Sequence, residues 1–415
     1  MKKIILLSFA FLFACSKDSL NEEEQTAPSL SDIKEPTSQL NKRIPCEEGK
    51  AGIYPCSGFD LMAHLSLKFF GSSSANDNWG WTDPETGKEY VLTGLDDGTA
   101  FVDISDPEVP VYLGKLATAT SNSSWRDIKV YQNHAFIVSE AQNHGLQVFD
   151  LTRLRGLSEV QDFTADVRLT DFGSAHNIWI NETSGFAYVF GANLYQGGAI
   201  FINISDPKAP EVVGGYGEDS YTHDAQIVTY KGPDTDYQGK ELLFGSNSDA
   251  GENNQLVIVD VTDKSQPQKI QSITYTNGGY THQGILSEDH KYFFLGDELD
   301  ELRYGTPTQT RIFDLSSLTN PKEYFTYFAT TNAIDHNGYI KEEKFYLASY
   351  TAGLRVIDLS QIESKQLEEI GFFDTYPSDD NSKFNGVWNV YPFFNSGTIA
   401  INDIDSGLFL VKASE

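Results

Sequence analysis

Basic residues are scarce in this sequence, where 30 lysines and arginines stand against 59 aspartates and glutamates in 415 residues. The formal charge of −29 makes nucleic acid an unsuitable partner, because its phosphates would repel such a protein. For the same reason we expect no direct binding to an anionic membrane surface. Cations, neutral sugars and proteins with basic patches remain compatible partners.

Long hydrophobic runs are missing after residue 15. The first fifteen residues, MKKIILLSFAFLFAC, contain two lysines and then an apolar segment too short to span a membrane as a mature helix. This pattern is typical of a secretion signal. The segment Leu12-Phe13-Ala14-Cys15 resembles a bacterial lipobox, which predicts a signal peptide over 1–14 and a lipid on Cys15. Ordinary signal cleavage with a spare cysteine is the alternative.

Residues 15–45 lack hydrophobic periodicity and are polar and acidic, so they cannot bury enough apolar surface to fold. We interpret them as a flexible tether between the lipid and a folded domain over 46–415. Contact with a membrane is then expected through the lipid alone. The predicted location is the cell envelope, at the outer membrane or cell surface of a Gram-negative bacterium, and we expect a monomer.

Cysteine is rare as well, with three in the whole chain. Two of them lie in PCEEGKAGIYPC, and disulfides persist outside the cytosol. The sequence therefore predicts a disulfide between Cys46 and Cys56 at the entry to the fold. Two free thiols are the alternative.

Helical periodicity is absent from about residue 60 onward. Short runs rich in Val, Ile, Phe and Tyr alternate there with Gly, Asn, Asp and Pro, which predicts an all-β fold. One unit recurs, ending in a polar residue before a turn; its markers are Asp103, Asp150, Asn203, Asp260, Asp314 and Asp358. A degenerate seventh copy, GLFLVKASE, ends the chain.

The marker spacing of 44 to 57 residues fits a four-stranded propeller blade, so seven copies predict a seven-bladed β-propeller. Each marker is expected to close a turn through its own side chain. The last copy is one strand short. The segment DLMAHLSLKFF (60–70) is strand-like and is predicted to supply that strand and close the ring. His64 would then be structural.

Several longer strings carry a resemblance to a known family. They are LVIVD at 256–260, SWRDIKV, AHNIWI, YTHDAQIV, YTHQGILSEDHKYFFLGDELDE and WNVYPFF. Together they resemble the choice-of-anchor B family of LVIVD-repeat proteins, from about Cys46 to the end of the chain. The resemblance implies a propeller and an attachment to the cell that differs between members. It implies no known reaction.

Four histidines stand in equivalent places, each opening an apolar run: His176, His223, His282 and His336. In a propeller these runs would be innermost strands of blades three to six, so the four imidazoles should lie around one mouth of the central channel. Arg126 holds the matching place in blade two and Gly386 in blade seven. The loops after the second strands, including Glu140, Asp297 and Glu298, should share that face.

Three interpretations of this ring stay open. The histidines could hydrogen-bond neighbouring strands and have only a structural role. They could bind a transition metal, with Glu140 or Asp297 behind them, although Arg126 would repel a cation. They could also border a pocket for an organic ligand, with Trp125 and Trp388 as aromatic walls.

Other signals are weaker. The acidic segments GDELDE (296–301) and NSDAGENN (247–254) could hold calcium but lack the spacing of a known loop motif, so we expect solvated acidic loops. His134, His144 and His290 lie in turn-like sequence and are expected to be exposed. The sequence contains no Gly-rich phosphate loop, HExxH motif or nucleophile elbow.

The sequence therefore predicts a cell-envelope lipoprotein whose propeller presents a His-rich, acid-rimmed face to a small molecule, a glycan or a protein. The first alternative is a metal-dependent enzyme of the hydrolase, lyase or oxygenase type, with Glu140, Asp127 or Asp224 as the base. The second alternative is an adhesive scaffold. Neither the reaction nor the metal follows from the residues.

Overall fold

The computed structural model describes residues 43–249 and 251–415. The predicted signal peptide, Cys15 and nearly all of the predicted tether lie outside these residues. The described part of the chain folds into seven small sheets, antiparallel apart from one added edge strand, arranged as the blades of a β-propeller, which confirms the predicted fold class. No helix in these ranges combines the length and apolar character that a membrane crossing needs.

The chain enters through three strands and a short helix: β1 (Lys50–Ala51), β2 (Tyr54–Ser57), β3 (Phe59–Leu65) and α1 (Leu67–Phe70). Blade one follows as β4 (Ala75–Thr82), β5 (Glu89–Leu95), β6 (Gly98–Asp103) and β7 (Val111–Ala117). Blade two consists of β8 (Arg126–Tyr131), β9 (His134–Ser139), β10 (Leu146–Asp150) and, after β11 (Gln161–Phe163), β12 (Val167–Leu169). Strand β11 pairs in parallel with β7, at the edge of blade one.

Blade three comprises β13 (Asn177–Asn181), β14 (Phe186–Phe190), β15 (Ala199–Asn203) and β16 (Glu211–Tyr216). Blade four comprises β17 (Thr222–Thr229), β18 (Glu241–Asp249), β19 (Glu252–Asp260) and β20 (Gln268–Thr274). Blade five comprises β21 (Thr281–Leu286), β22 (Tyr292–Asp297), helix α2 (Asp300–Tyr304), β23 (Gln309–Asp314) and β24 (Lys322–Phe328).

Blade six comprises β25 (Gly338–Lys341), β26 (Lys344–Ser349), β27 (Gly353–Asp358) and β28 (Glu368–Phe373). Blade seven contains β29 (Val387–Tyr391), β30 (Thr398–Asp403) and β31 (Gly407–Ala413). The described ranges also contain three short 3₁₀ turns, Leu151–Leu154, Tyr195–Gly197 and Ile362–Ser364.

Ring closure follows the prediction. Strand β3 pairs antiparallel with β31 and becomes the outer strand of blade seven, with His64 opposite Phe409. The His64 ring stacks on Phe409 with centroids 3.9 Å apart, and its Nε2 lies 2.8 Å from the Ser406 carbonyl. Both contacts belong to the packing of the closure strand, so His64 is structural.

The entry segment also reaches blade six. Strand β2 pairs with β28, with Cys56 opposite Phe373, and β1 extends the same sheet. The sulfur atoms of Cys46 and Cys56 form a disulfide. Because β2 joins blade six and β3 joins blade seven, the entry segment fastens these two blades together.

The repeated marker residues close turns as predicted. In each of six blades, the marker side-chain oxygen accepts a hydrogen bond from the backbone N–H two residues later. This contact turns the chain from the third strand toward the fourth, and it needs a short side chain with an acceptor oxygen. The marker recurs at blade spacing because every blade has this turn.

The apolar core lies between neighbouring blades rather than within one of them. Phe101 of blade one stacks on Phe149 of blade two at 4.7 Å, and Phe294 of blade five packs against Phe345 of blade six at 5.4 Å. A middle strand therefore has both faces buried. This explains why LVIVD is a continuous apolar run and does not alternate with polar residues.

The expectation that three histidines are exposed is wrong. The exposed fractions of His134, His144 and His290 are 9%, 0% and 8%. Each ring has a polar partner that compensates burial: the Gln132 carbonyl lies 2.8 Å from His134 Nδ1, and the backbone N–H of Lys231 donates to His290 at 3.2 Å. His144 lies 3.2 Å from Arg126.

A buried ion pair joins blades one and two. Arg155 donates to both oxygens of Asp83, at 2.7 and 2.8 Å, and the Asp83 side chain is fully buried. Burial opposes ionisation of Asp83, but hydrogen bonds from Arg155 and Thr86 outweigh it and lower the pKa of Asp83 to about 2. Breaking the pair would leave a buried carboxylate without its cation.

We expect Arg155→Met to lower the free energy of unfolding at pH 7 by about 1–3 kcal/mol. Because the folded pKa of Asp83 is lowered, the stabilisation is present above pH 4 and is lost as pH falls toward 2. Urea unfolding of both proteins across this pH range measures the difference. The control Glu85→Gln removes the exposed second carboxylate beside Arg155 and should change little. A difference that stays constant down to pH 2 would contradict the assignment.

Candidate functional site

The four histidines form one arc at a single end of the channel. Ring centroids are 4.3 Å apart for His176 and His223, 4.2 Å for His223 and His282, and 4.3 Å for His282 and His336. The rings come from blades three to six in order, at the heads of the inner strands. All four line a narrow cavity on the channel axis.

β-bulges bring two of these histidines to the cavity. In β17, Thr222 pairs with Asn247 and Asp224 with Ser246, so His223 is an extra residue. The same irregularity makes His282 the extra residue of β21. Neighbouring side chains of a regular strand point to opposite faces, whereas a bulge lets two successive residues share one face. His223 and Asp224 therefore both line the cavity.

Blade seven has the same bulge with a different residue. The irregularity in β29 falls at Trp388, which lines the cavity and lies 4.8 Å from the His336 ring. Gly386 was expected in this place and instead precedes the strand at a φ of 88°, where its carbonyl accepts from Ile404. Trp388, not Gly386, is the ring residue of blade seven.

Hydrogen bonds fix which ring nitrogens face the channel. His223 Nδ1 donates to the His282 carbonyl at 2.9 Å, and His336 Nδ1 donates to the Trp388 carbonyl at 2.6 Å. A carbonyl can only accept, so each of these rings carries its proton on Nδ1 and leaves the Nε2 lone pair free. This is the arrangement of a metal-ligating histidine oriented by its other nitrogen.

Glu298 supplies a carboxylate to the arc. Its Oε1 lies 3.7 Å from His282 Nε2, 3.7 Å from His336 Nε2, and 2.9 Å from the Tyr350 hydroxyl that donates to it. One ligand atom from each of these three residues lies within 4.8 Å of the others. Ligands around a tetrahedral zinc ion are about 3.4 Å apart, so small movements would complete a site.

Burial keeps most of the arc neutral. Burial lowers the pKa of His223 and His282 well below the usual range, and neighbouring imidazoles lower it further. Burial also lowers the pKa of His336 to about 3. Burial raises the pKa of Glu298 to about 7.

His176 differs from the other three histidines. Its Nδ1 lies 2.6 Å from the Glu140 carboxylate. Burial lowers the pKa of His176, but the hydrogen bond and charge of Glu140 outweigh it, so the pKa is raised. His176 and Glu140 thus form an ion pair beside the other three imidazoles, which are neutral. Glu140 occupies Nδ1 of His176, the nitrogen that faces blade two.

A charged cluster lies next to the arc in the same cavity. Lys129 Nζ is 2.5 Å from Asp127 and 3.5 Å from Asp77, and Asp127 also accepts from the Ile178 backbone at 2.7 Å. Burial and the charge of Asp127 raise the pKa of Asp224 to about 7. Asp127 is therefore held in a structural ion pair with Lys129. The pKa of Asp224, in contrast, lies in the range that suits a general base near neutral pH.

The cavity is small, and its aromatic lining consists of Trp179, Tyr339 and Trp388, with Trp79 packed behind Lys129. Lys129 Nζ lies 4.4 Å from the ring centroid of Trp79, which packs edge-on against Tyr391 at 5.1 Å and Trp179 at 6.5 Å. The space beside the arc is about 10 Å³, enough for one water-sized occupant. An ion or a water fits this space, and a sugar ring does not.

Three predicted site residues neither line the cavity nor contact a histidine of the arc, whereas Glu140 and Glu298 contact arc histidines without lining the cavity. Arg126 is buried, donates to the Leu95 carbonyl at 3.2 Å and contacts His144, so its charge is directed between blades one and two. Asp297 accepts from the Gly279 and Tyr280 backbone and from Tyr275. Trp125 is 43% exposed and does not form a wall with Trp388.

The sequence reasoning missed Lys129, Asp77 and Tyr350. Lys129 follows Asp127 by two residues, and side chains two apart on a strand share a face, so strand periodicity could have found it. Asp77 lies in the irregular stretch of β4, where pairing slips between Ala75 and Asn78. Tyr350 comes from a loop, and the chain offers no local signal for it.

The GDELDE segment is not a solvated loop. Asp297, Asp300 and Glu301 are 1%, 0% and 3% exposed. Asp297 ends β22, whereas Asp300 and Glu301 begin the short helix α2, which brings them close to Asp335 ahead of blade six. The expectation of solvent exposure is therefore wrong for three of its four acids.

Comparison with known proteins supports the fold and the repeat. Residues 250–274 match the family model described as LVIVD repeat. No curated protein matches the chain significantly.

Among solved structures, the Cps50 (Swd1) β-propeller domain of Myceliophteria thermophila superposes with a TM-score of 0.55 at 11% identity, covering 86% of this chain and 100% of that one. A protein from Lactobacillus plantarum gives a TM-score of 0.51 at 14% identity, over 79% of this chain and 88% of that one. At this identity the likeness concerns the fold alone. The repeat match and the seven blades support a β-propeller family with the LVIVD repeat for this chain.

Proposed function

We propose that the protein is a cell-envelope binding protein whose propeller holds a divalent transition metal ion on His282, His336 and Glu298. The observation that carries the proposal is the convergence of the two Nε2 atoms on Glu298 Oε1, each at 3.7 Å. A β-propeller with the LVIVD repeat fits a surface or binding scaffold. The metal would be the feature that this scaffold presents to a ligand.

The chemistry of the three groups favours a transition metal over a hard cation. Imidazole suits zinc, copper, iron and nickel, whereas calcium and magnesium prefer oxygen ligands. Three protein ligands leave an open coordination position for a water, a small molecule, a glycan hydroxyl or a protein side chain. His223, 4.2 Å from His282 between ring centroids, is the nearest further imidazole.

The hydrogen-bond pattern supports the same choice. His336 donates its Nδ1 proton to a backbone carbonyl, and Tyr350 donates to Glu298. Such outer contacts hold ligand side chains in place and are typical of metal sites. An organic pocket is less well supported, because the free space beside the arc holds one water-sized occupant and Trp125 lies elsewhere.

A metal-dependent enzyme is the second candidate, and Asp224 is the observation that favours it. Its carboxyl group lines the same cavity as the arc, and burial with the charge of Asp127 raises its pKa to about 7. A base in this range next to an open coordination position is what hydrolase, lyase or oxygenase chemistry requires. Loss of a measured activity on chelation would favour the enzyme over a binding protein.

We also propose that Cys15 carries a lipid and attaches the propeller to the cell envelope, which is compatible with the varied attachment of the choice-of-anchor B family that the sequence resembles. The support is the segment Leu12-Phe13-Ala14-Cys15 after an apolar signal sequence. Charge does not favour direct binding to anionic lipid, since the chain carries −29. The lipid would then be the only membrane contact.

The metal proposal predicts that His282→Ala and His336→Ala each weaken binding of Zn²⁺ by at least about 100-fold, since each removes one of three ligands. The measurement is calorimetric titration of the untagged protein, with elemental analysis for stoichiometry. His290→Gln is the matched control, because His290 is also buried but lies away from the channel in blade five. Unchanged affinity in the ligand variants, or no binding by the wild type, would favour the adhesive-scaffold alternative.

Tyr350→Phe should weaken zinc affinity by about 10–100-fold while the fold is retained, because the hydroxyl orients Glu298 without binding the ion. The same titration measures the change, and near-ultraviolet circular dichroism checks the fold. Tyr195→Phe, at a tyrosine that is 40% exposed in blade three, is the control. Equal affinities for Tyr350→Phe and wild type would remove Glu298 from the ligand set.

Replacing the anchor residue tests the cellular location. We expect Cys15→Ser to move the protein from the membrane fraction to the soluble fraction, because the thioether to lipid cannot form. Fractionation and labelling with a radioactive fatty acid measure this change. A wild-type protein that is already soluble and unlabelled would indicate ordinary signal cleavage.

A further inference from the structure

We propose a second cation site, for Ca²⁺, on Asp300, Glu301 and Asp335. Asp300 and Glu301 begin helix α2 of blade five, and Asp335 precedes the inner strand of blade six. One carboxylate oxygen from each lies within 4.8 Å of the other two. The three residues are 0%, 3% and 1% exposed.

Unpartnered oxygens point to a missing ligand. Both carboxylate oxygens of Glu301, both of Asp335 and Oδ1 of Asp300 are buried and have no hydrogen-bond partner in the part of the chain that the structure describes. The sixth oxygen, Asp300 Oδ2, accepts from Gln309 Nε2. Buried polar atoms are almost always satisfied, and leaving a charged one unsatisfied is costly. A bound cation would satisfy all five.

The charge balance favours the same ion. Among the residues that the structure describes, the cationic group that contacts these carboxylates is Arg311, whose guanidinium lies 3.7 Å from Asp300 and is shared with Glu323 at 3.6 Å. Burial, Asp335 and Asp300 together raise the pKa of Glu301 to about 11, which reflects how unfavourable three ionised groups are without compensation. A divalent cation would neutralise the negative charge of the three carboxylates that Arg311 leaves unpaired.

The ligand set favours calcium over other cations. All three groups offer oxygen, which suits hard cations rather than zinc or copper. Oxygens on opposite sides of a Ca²⁺ ion lie about 5 Å apart, against about 4.2 Å for Mg²⁺. The three oxygens lie within 4.8 Å of one another, so one ion can reach all of them, and the flexible coordination of Ca²⁺ suits such a buried set better than the strict octahedron of Mg²⁺.

A glycine keeps space for the Asp335 carboxylate. A Cβ on Gly296 would lie 2.6 Å from Asp335 Oδ2, so any side chain there would displace it. Gly296 pairs with Gln283 in the inner part of blade five. The backbone at this point thus leaves room for a carboxylate from the next blade. Gly296 itself offers that carboxylate no side-chain partner.

The two sites share short stretches of chain. Glu298 precedes Asp300 by two residues, and Asp335 directly precedes His336. Calcium would hold both stretches and so fix the positions of two channel ligands. The inference does not rest on the proposed function, because the unpartnered carboxylates remain whether or not the channel binds a transition metal.

Calorimetric and thermal measurements on the EGTA-treated protein test the site, with CaCl₂, MgCl₂ and ZnCl₂ as separate titrants. We expect one equivalent of Ca²⁺ to bind, Mg²⁺ to bind more weakly, and the melting temperature to rise by a few degrees at calcium 100-fold above Kd, a roughly 100-fold shift in the folding equilibrium. Glu301→Gln and Asp335→Asn should lose calcium binding by at least 100-fold. In EGTA both variants should melt above the wild type, because each removes a carboxyl group that must take up a proton in order to be buried without an ion.

Matched controls separate this site from the channel. Glu323→Gln removes an exposed acid beside Arg311 and should keep calcium binding, as should His282→Ala. Two results would overturn the proposal: wild type that binds no Ca²⁺ and melts equally in EGTA and millimolar calcium, or calcium binding that survives both acidic substitutions. The first would show that the carboxyl groups share protons instead. Loss of calcium binding in His282→Ala would assign the calcium to the channel and also overturn the second site.

Discussion

A blade of this protein cannot bury its two apolar faces alone, and the whole structure follows from that constraint. Each middle strand is covered by a blade on either side, so LVIVD-type runs are stable only in a closed ring. Strand β3 closes the ring by completing blade seven. Strand β2 and the Cys46–Cys56 disulfide fasten the same entry segment to blade six. The polar residues are left to the turns, the rim and the channel.

The channel then has to satisfy polar groups at the heads of the inner strands. It does so with hydrogen bonds from one blade to the next: Asn177 donates to the His223 carbonyl, His223 to the His282 carbonyl, and His336 to the Trp388 carbonyl. The structural interpretation of the histidines and the metal interpretation are therefore compatible. His223 and His336 use Nδ1 to join blades, and this same bond leaves their Nε2 facing the channel without a proton.

Much of the fold could be predicted because it depends on periodic local features. The marker at Asp103 recurs because each blade needs the same turn, and the strand containing His64 was recognisable as apolar and unpaired. The site was harder to predict because it depends on departures from periodicity. Bulges at His223, His282 and Trp388 change which side chains face the channel. No local sequence pattern predicts these bulges.

Side-chain direction was a second limit on prediction. Arg126 stands at the ring position of blade two, yet its guanidinium turns to Leu95 and His144 between the blades, so it does not repel a cation at the arc. The guanidinium contacts the buried ring of His144, which sequence alone placed in a solvated turn. The acid triad was hidden for a related reason: Asp335 meets Asp300 only after blade six packs on blade five.

The segment from Asp297 to Glu301 shows how one short connection serves two environments. Asp297 accepts from the Gly279 and Tyr280 backbone and anchors the segment, Glu298 faces the imidazoles, and Asp300 and Glu301 face Asp335 between blades. Ions in the two sites would hold opposite sides of this rigid connection. An ion at one site would then order the segment, so that binding at the other site would cost less conformational entropy. Linkage requires this effect to be reciprocal. A Ca²⁺ ion between blades five and six would thus help to set the affinity of the channel for a transition metal ion.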